Sequence, residues 1–129
     1  MIKKEIIYKE LSYKIVGILF EVFKSLGGGY QEKYYQKAIK EAFIINNISY
    51  LEQVRVDLNY KHKYIGRYYL DFIIDNKIVL ELKAKAYISR TDIFQVLNYL
   101  KCANLELGII SNFTREGVKI KRILKGNNQ

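Results

Sequence analysis

Asp71, Glu81 and Lys83 interrupt a stretch, Arg67 to Ala84, that is otherwise apolar and strongly β-prone. Charge in such strands is expensive unless it finds a partner. A bound metal ion is one partner that explains all three residues. Two carboxylates with no histidine or cysteine beside them form an all-oxygen set, which favours Mg2+ or Mn2+ over zinc. Such a site suits hydrolysis of a phosphodiester: the cation acidifies water and neutralises developing charge, and Lys83 steadies a hydroxide or a phosphate oxygen. An Asp/Glu/Lys salt-bridge network on an exposed strand face is the competing reading, and spacing alone weighs the two equally.

Register decides whether these side chains can meet. Glu81 and Lys83 share a strand face, and strict alternation gives Asp71 the face of Tyr69 and Ile73. Asp71 stands opposite Glu81 if the connection is a three-residue loop, Asp75-Asn76-Lys77, in which Asn76 tolerates left-handed backbone. A two-residue turn would send the two carboxylates to opposite faces.

Around this stretch the chain predicts an alternation of elements. Ile7, Leu11, Ile15, Ile18, Val22 and Leu26 trace one face of a helix from about Lys4 to Leu26. Gly27-Gly28-Gly29 ends it; with no Gly-Lys-Ser/Thr following, a tight helix connection is favoured over a phosphate loop. A second helix runs from about Gln31 to Asn46 or Asn47, with Tyr35, Ala38, Ala42 and Ile45 as its buried stripe and Glu32 in its first turn, where a carboxylate complements the helix dipole. Tyr50 to Tyr60 reads as a half-buried strand with Val54, Val56, Leu58 and Tyr60 on one face. Lys61-His62-Lys63 turns the chain into a strand from Tyr64 to Ile74, and Ile78 to Ala84 follows. A helix capped by Ser89 or Thr91 reaches about Cys102, with Ile93, Val96, Leu97 and Leu100 inward and Gln95 and Tyr99 one turn apart beside them. Leu105 to Ser111 is a strand buried on both faces. Gly117 to Lys125, helix or strand, carries Lys119, Lys121, Arg122 and Lys125. The α-α-β-β-β-α-β order predicts an α/β fold with a mixed sheet flanked by helices.

Composition bounds the class. The 129 residues, 50% of them apolar, are expected to form one domain over 1–129, with 126–129 a disordered tail. Cys102 and His62 are each the sole residue of their type, which excludes an internal disulfide and disfavours Cys- or His-based metal cages. No signal peptide or membrane span is evident, so a cytoplasmic location is expected. Twenty-two Lys and Arg against 13 Asp and Glu leave a net +9, which favours a polyanionic partner, although the Lys, Ile, Asn and Tyr bias of an AT-rich genome would raise the charge as well.

Asp71 with Glu81-Leu82-Lys83 resembles the core of the PD-(D/E)XK nuclease superfamily, and Gln95-x-x-x-Tyr99 is similar to the Gln-x-x-x-Tyr motif of its RecB-like branch. Gly29-Tyr-Gln-Glu32-Lys-Tyr-Tyr35 matches the signature of the GxxExxY family. Gly17 to Glu21, Gln53 to Tyr60, Gln95 to Leu100 and Leu107-Gly108 to Asn112-Phe113 resemble that family in order and spacing, so the likeness covers about Tyr8 to Ile123. It departs at Phe23, where the family often carries a His. The resemblance implies a restriction-endonuclease-like fold, with a helix before three antiparallel strands and then a helix and a further strand. It implies that Asp71 and Glu81 bind a divalent metal with the carbonyl of Leu82 as a third ligand, that Glu32 approaches the metal directly or through water, and that Lys83 is the catalytic lysine. Gln95 and Tyr99 would position a phosphate or tune the lysine.

The expectation is therefore a Mg2+-dependent (or Mn2+-dependent) nuclease acting on nucleic acid, DNA ahead of RNA. Lys61, Lys63, Arg67, Lys85 and Arg90 would hold flanking phosphates, and Tyr68, Tyr69 and Tyr87 either pack or stack on bases. The alternatives are an RNA-directed nuclease, or a module on the same fold that binds nucleic acid or protein without turnover. With no extra specificity domain in view, specificity would come from a homodimer or a protein partner.

Overall fold

The computed structural model describes residues 7–126. Helices α1 (Lys9–Leu26) and α2 (Glu32–Ile45) precede strands β1 (Tyr50–Tyr60), β2 (Lys63–Ile74) and β3 (Ile78–Lys83). Helix α3 (Arg90–Ala103) then crosses to β4 (Leu107–Phe113), and β5 (Val118–Leu124) follows. The strands form one sheet in the order β1-β2-β3-β4-β5. Only β3 and β4 run parallel, as a helix-linked pair must be free to do, and the hairpin-linked neighbours are antiparallel. The expected α/β fold, a mixed sheet flanked by helices, is the one observed. The segment 117–125, open between helix and strand, is an edge strand.

Two apolar layers sandwich the sheet. On one side Ile15, Leu19 and Val22 of α1 and Tyr35, Ile39 and Phe43 of α2 close over Phe72, Ile74, Ile78, Leu80, Leu82 and Ile109. On the other, Val96, Leu97 and Leu100 of α3 cover Leu70, Ile73, Val79 and Ile110. Coverage on both faces explains why every residue of β4 is buried. Gly108 is needed at this layer, since a Cβ there would come within 2.4 Å of Val96 Cγ1.

Several helix details depart from the periodic pattern. Helix α1 begins at Lys9, because Tyr8 takes a left-handed conformation (φ 51°) and Ile7 lies in a turn; the expected start at Lys4 falls outside the described residues, as does most of the 126–129 tail. Leu26 is 36% exposed where the stripe ends. The buried face of α2 is Tyr35, Ile39 and Phe43, rotated from the expected stripe, and Ile45 is 75% exposed. Aromatic residues drive that rotation: Phe43 packs edge-on against Phe72 at 5.3 Å, and Tyr50 joins both rings.

The largest departure is a reversal of the pleat in β1 and β2. Tyr50, Phe72 and Ile74 face α1 and α2, whereas Val54, Val56, Tyr68 and Leu70 face α3, although all have the same parity. Gln53 adopts left-handed backbone, φ 53°, at the point where β1 switches. Asp71 is the residue across from it, between Leu70 and Phe72. Asp71 therefore does not share one face with both Tyr69 and Ile73. Leu58 and Tyr60, expected on a buried face, are 43% and 62% exposed because the hairpin has by then run past its covering helix.

Candidate active site

The loop joining β2 to β3 is Asp75-Asn76-Lys77, with Asp75 and Asn76 both left-handed (φ 52° and 54°). The ladder it sets, Ile74 with Ile78 and Phe72 with Leu80, brings Asp71 opposite Glu81 at the next step. There the strand-to-strand backbone pairing stops and the carboxylates replace it. The Asp71 N–H donates to Glu81 Oε1 (2.7 Å) and the Leu82 N–H to Asp71 Oδ2 (2.7 Å). Each carboxylate satisfies one backbone donor of the parting strands and keeps its second oxygen outside these bonds.

Asp71 and Glu81 are 7% and 8% exposed. Burial raises the pKa of Asp71, opposed by the Leu82 N–H, the charge of Lys83 and the nearby Gln53 amide. Burial and then the negative charge of Asp71 push Glu81 up to about 8, against the Asp71 N–H and Lys83. The pair is a buried excess of negative charge, a state that proteins normally relieve with a proton or a cation. Its donor set is two hard carboxylates, which fits a Mg2+-like ion. Among the described residues no three Asp, Glu, His or Cys side chains converge as a ready metal cage.

Glu32, the first residue of α2, stays within electrostatic reach without completing such a cage. Burial raises its pKa, Asp71 adds to the rise, and Lys83 and Lys85 oppose it. Its placement follows from the glycines and Tyr35. A Cβ on Gly28 would lie 2.7 Å from Arg115 Cα and Thr114 O, so only glycine lets this loop press against the β4–β5 turn. Tyr35 is fully buried, donates to Gly27 O (2.7 Å), accepts from the Tyr30 N–H (3.3 Å) and stacks on Phe113 at 4.2 Å. In Gly29-x-x-Glu32-x-x-Tyr35, the tyrosine is thus a buckle and the glutamate, one turn earlier, is what it aims.

Lys83 and Lys85 meet a residue of the α3 capping segment that the sequence did not single out. Asp92, 7% exposed, lies 3.8 Å from Lys83 Nζ and forms a close ion pair with Lys85. It also completes a capping box: the Ser89 N–H donates to Asp92 Oδ2 (2.9 Å) and the Asp92 N–H to Ser89 Oγ (3.1 Å). Burial works against the charge of Asp92, but Lys85, the Ser89 donors and Lys83 outweigh it and lower its pKa. Asn112, 1% exposed and registered opposite Lys83, holds the backbone of Lys85 with two hydrogen bonds of 3.0 Å, accepting from the Lys85 N–H and donating to its carbonyl. Its position inside the Asn112-Phe113 segment was the one signal for it. Beside these residues a cleft of about 450 Å³ is lined by Gly29, Tyr30, Lys85 and Arg115.

Other expected site residues lie outside this cluster. Gln95 is exposed, and its backbone carbonyl accepts from Tyr68 OH (3.3 Å). Tyr99 packs partly buried in the α3-side core, which raises its pKa. Arg90 opens α3 and lines a separate cavity of about 600 Å³ with Phe94, Lys121 and Arg122. Lys61 and Lys63 are exposed at the tip of the β1–β2 hairpin, and Arg67 lies farther down it. Of the three tyrosines, Tyr87 is 73% and Tyr69 46% exposed, and Tyr68 packs against the α3-side core. Glu21 is exposed on α1.

Comparison with known proteins places this geometry. No curated protein matches the chain in sequence. Its fold is similar to the crystal structure of SSO0001, at 19% identity and a TM-score of 0.58, over 94% of this chain and 60% of that one. A model of the PD-(D/E)XK nuclease superfamily, whose members are generally nucleases, matches residues 9–123. That match spans both helical layers, all five strands and the Asp71–Glu81 junction, and the chain belongs to the PD-(D/E)XK nuclease superfamily.

Proposed function

We propose that the chain is a Mg2+-dependent nuclease that hydrolyses DNA phosphodiester bonds, with Mn2+ able to substitute, and that within the superfamily it belongs with the GxxExxY proteins. The observation that carries this reading is the pair of buried carboxylates, Asp71 and Glu81, packed together where β2 and β3 part. Asp71 and Glu81 would hold the ion, with the Leu82 carbonyl and Glu32 as further oxygen donors. When bound, the ion supplies Lewis acidity to water and phosphate and charge to offset the transition state.

The remaining work falls to the chain. Lys83, held beside the carboxylates and tethered to Asp92, is the proton-shuttling or phosphate-steadying group. Asp92 keeps Lys83 and Lys85 in place, and Asn112 fixes the backbone from which Lys85 projects. Lys85 and Arg115 of the adjoining cleft draw in the scissile strand's phosphates, with Arg90 at the start of α3. Gln95 and Tyr99, which α3 carries outside the cluster, would position a substrate phosphate or tune Lys83.

Incubating the purified chain with linear, circular, single-stranded and branched DNA, and with RNA, in Mg2+, Mn2+ or chelator tests the reading. DNA cleavage that chelator stops and that Asp71→Asn, Glu81→Gln and Lys83→Ala each abolish is expected. Full activity in Lys83→Ala would remove the lysine's role, and no cleavage of any substrate would favour a binding module on this fold.

A further inference from the structure

The β1–β2 hairpin outgrows the sheet. Strand β3 pairs with β2 only from Phe72 to Ile74, while β1 and β2 stay paired to their ends at Tyr60 and Lys63. Val54, Val56, Tyr68 and Leu70 still rest on α3, but every residue from Asp57 to Ile65 is exposed. An unsupported two-stranded ribbon is marginal in water, and this one displays Leu58, Tyr60, Tyr64 and Ile65, each more than 40% exposed. Such a projection calls for a partner.

Three features define that partner's chemistry. Between Val54 and Leu70 stand Arg55, Lys61, Lys63 and Arg67 against the single acid Asp57, which pairs with Arg55 (2.7 Å); Lys61, Lys63 and Arg67 are the excess, so the partner is anionic. On the face away from α3, Arg67 Nε donates to Tyr69 OH (3.1 Å) and its Nη1 to Tyr64 OH (3.2 Å), and the Arg55 guanidinium lies 6.0 Å from the Tyr64 ring centre. The arginines are thus preset in an exposed lattice. At the tip, Lys61 and His62 both take left-handed backbone (φ 48° and 67°) in the two-residue turn where Asn-Gly would fit with less strain. Non-glycine residues held in that region point to a role beyond the turn itself.

We propose that the distal hairpin, Asp57 to Arg67, is a DNA-binding ribbon that enters the major groove of a B-form duplex beside the cleavage site, so that the substrate class is double-stranded DNA. The choice of duplex rests on dimensions: strands about 4.8 Å apart with their side chains fit a major groove about 12 Å wide, whereas the A-form RNA major groove is deep and narrow. The ribbon springs from Gln53 and Asp71, so a duplex that lies along it from tip to base reaches the carboxylate pair. The proposal rests on the nuclease reading only for where the cut falls.

Binding of the full chain carrying Glu81→Gln, in chelator, to labelled duplex DNA, duplex RNA and single-stranded DNA of one sequence tests it by fluorescence anisotropy. Duplex DNA should bind at least about tenfold more tightly than duplex RNA. Adding Lys61→Ala with Lys63→Ala should weaken duplex binding and lower the salt slope by about two, as expected for two lost phosphate contacts. Lys61→Asn with His62→Gly should raise the melting temperature and still weaken binding, an outcome that a purely structural turn would not produce. Unchanged affinity and slope in the lysine variant, or equal binding of both duplexes, overturns the ribbon while leaving nuclease activity standing. So does a result in which these substitutions dissociate a dimer in sedimentation and leave DNA binding intact. Arm-dependent duplex binding by a wild-type chain that cleaves nothing would overturn the nuclease reading alone.

Discussion

Asp92 and the Asp71–Glu81 pair are equally shielded from solvent contact, yet the pair lies deeper in the protein and titrates in the opposite direction. All three carboxylates are 7–8% exposed, yet the pKa of Asp92 is lowered and those of Asp71 and Glu81 are raised. Asp92 is met by two lysines and a serine cap; the pair is met by two backbone N–H groups and by each other. For the pair, burial dominates, because Lys83 opposes it only at a distance. For Asp92, the contacts of Lys85, Ser89 and Lys83 outweigh burial.

Mutation breaks the comparison most sharply. Asp71→Asn and Glu81→Gln should each cut Mg2+-dependent cleavage by roughly a thousandfold or more, since a ligand and its charge are lost. The same changes should raise the melting temperature of the metal-free protein, because each removes a buried charge repulsion. Asp92→Asn should lower it, at a cost of about 1–3 kcal/mol in stability, through loss of a cap and of two lysine partners. Melts in chelator that moved all three variants in one direction would defeat the contrast.

Metal and pH sharpen it next. A carboxyl with a raised folded pKa stabilises the fold below its unfolded value, and that contribution is lost as pH rises through the folded one. For Glu81 the window runs from about 4.5 to about 8. Metal-free protein should lose stability across it, and the gain in melting temperature on adding Mg2+ should grow over the same range. Asp92 behaves inversely: its contribution is present above the ordinary carboxylate range and disappears as pH falls through its lowered value. Thermal melts carried from below pH 3.8 to above pH 8, with and without Mg2+, and with Glu81→Gln as the control that removes the upper window, read both.

Smaller effects separate aiming from chemistry. Tyr35→Phe removes the bond to Gly27 O and should cost about 1 kcal/mol in chemical denaturation, with a modest activity loss as Glu32 loosens. Smallest is Ser111→Ala. Its buried hydroxyl has no hydrogen-bond partner among the described residues, so the change should be neutral or stabilising by about 1 kcal/mol and leave cleavage untouched.

The register of the site was legible because it depends on the length of one loop. A three-residue loop with Asn at its centre puts Asp71 opposite Glu81 whatever the packing, and that loop is present. Element order was legible for a similar reason, since periodicity changes cleanly from Val22 to Val54 to Val96. Asp92 stayed hidden because it has the look of an ordinary capping-box residue, and only the fold brings Lys83 and Lys85 to it. The phase of α2 was missed because Ile45 is more apolar than Ala38, while the aromatic contact of Phe43 sets the rotation. The pleat reversal had no sequence signal at all: glutamine is an unusual residue for left-handed backbone within a strand.

That reversal at Gln53 makes one hairpin serve two layers, α1 and α2 below it and α3 above. The seam between the two layers falls at Gln53 and Asp71, so the same step that turns the outer hairpin toward α3 sets one of the two site carboxylates at the boundary between the cores.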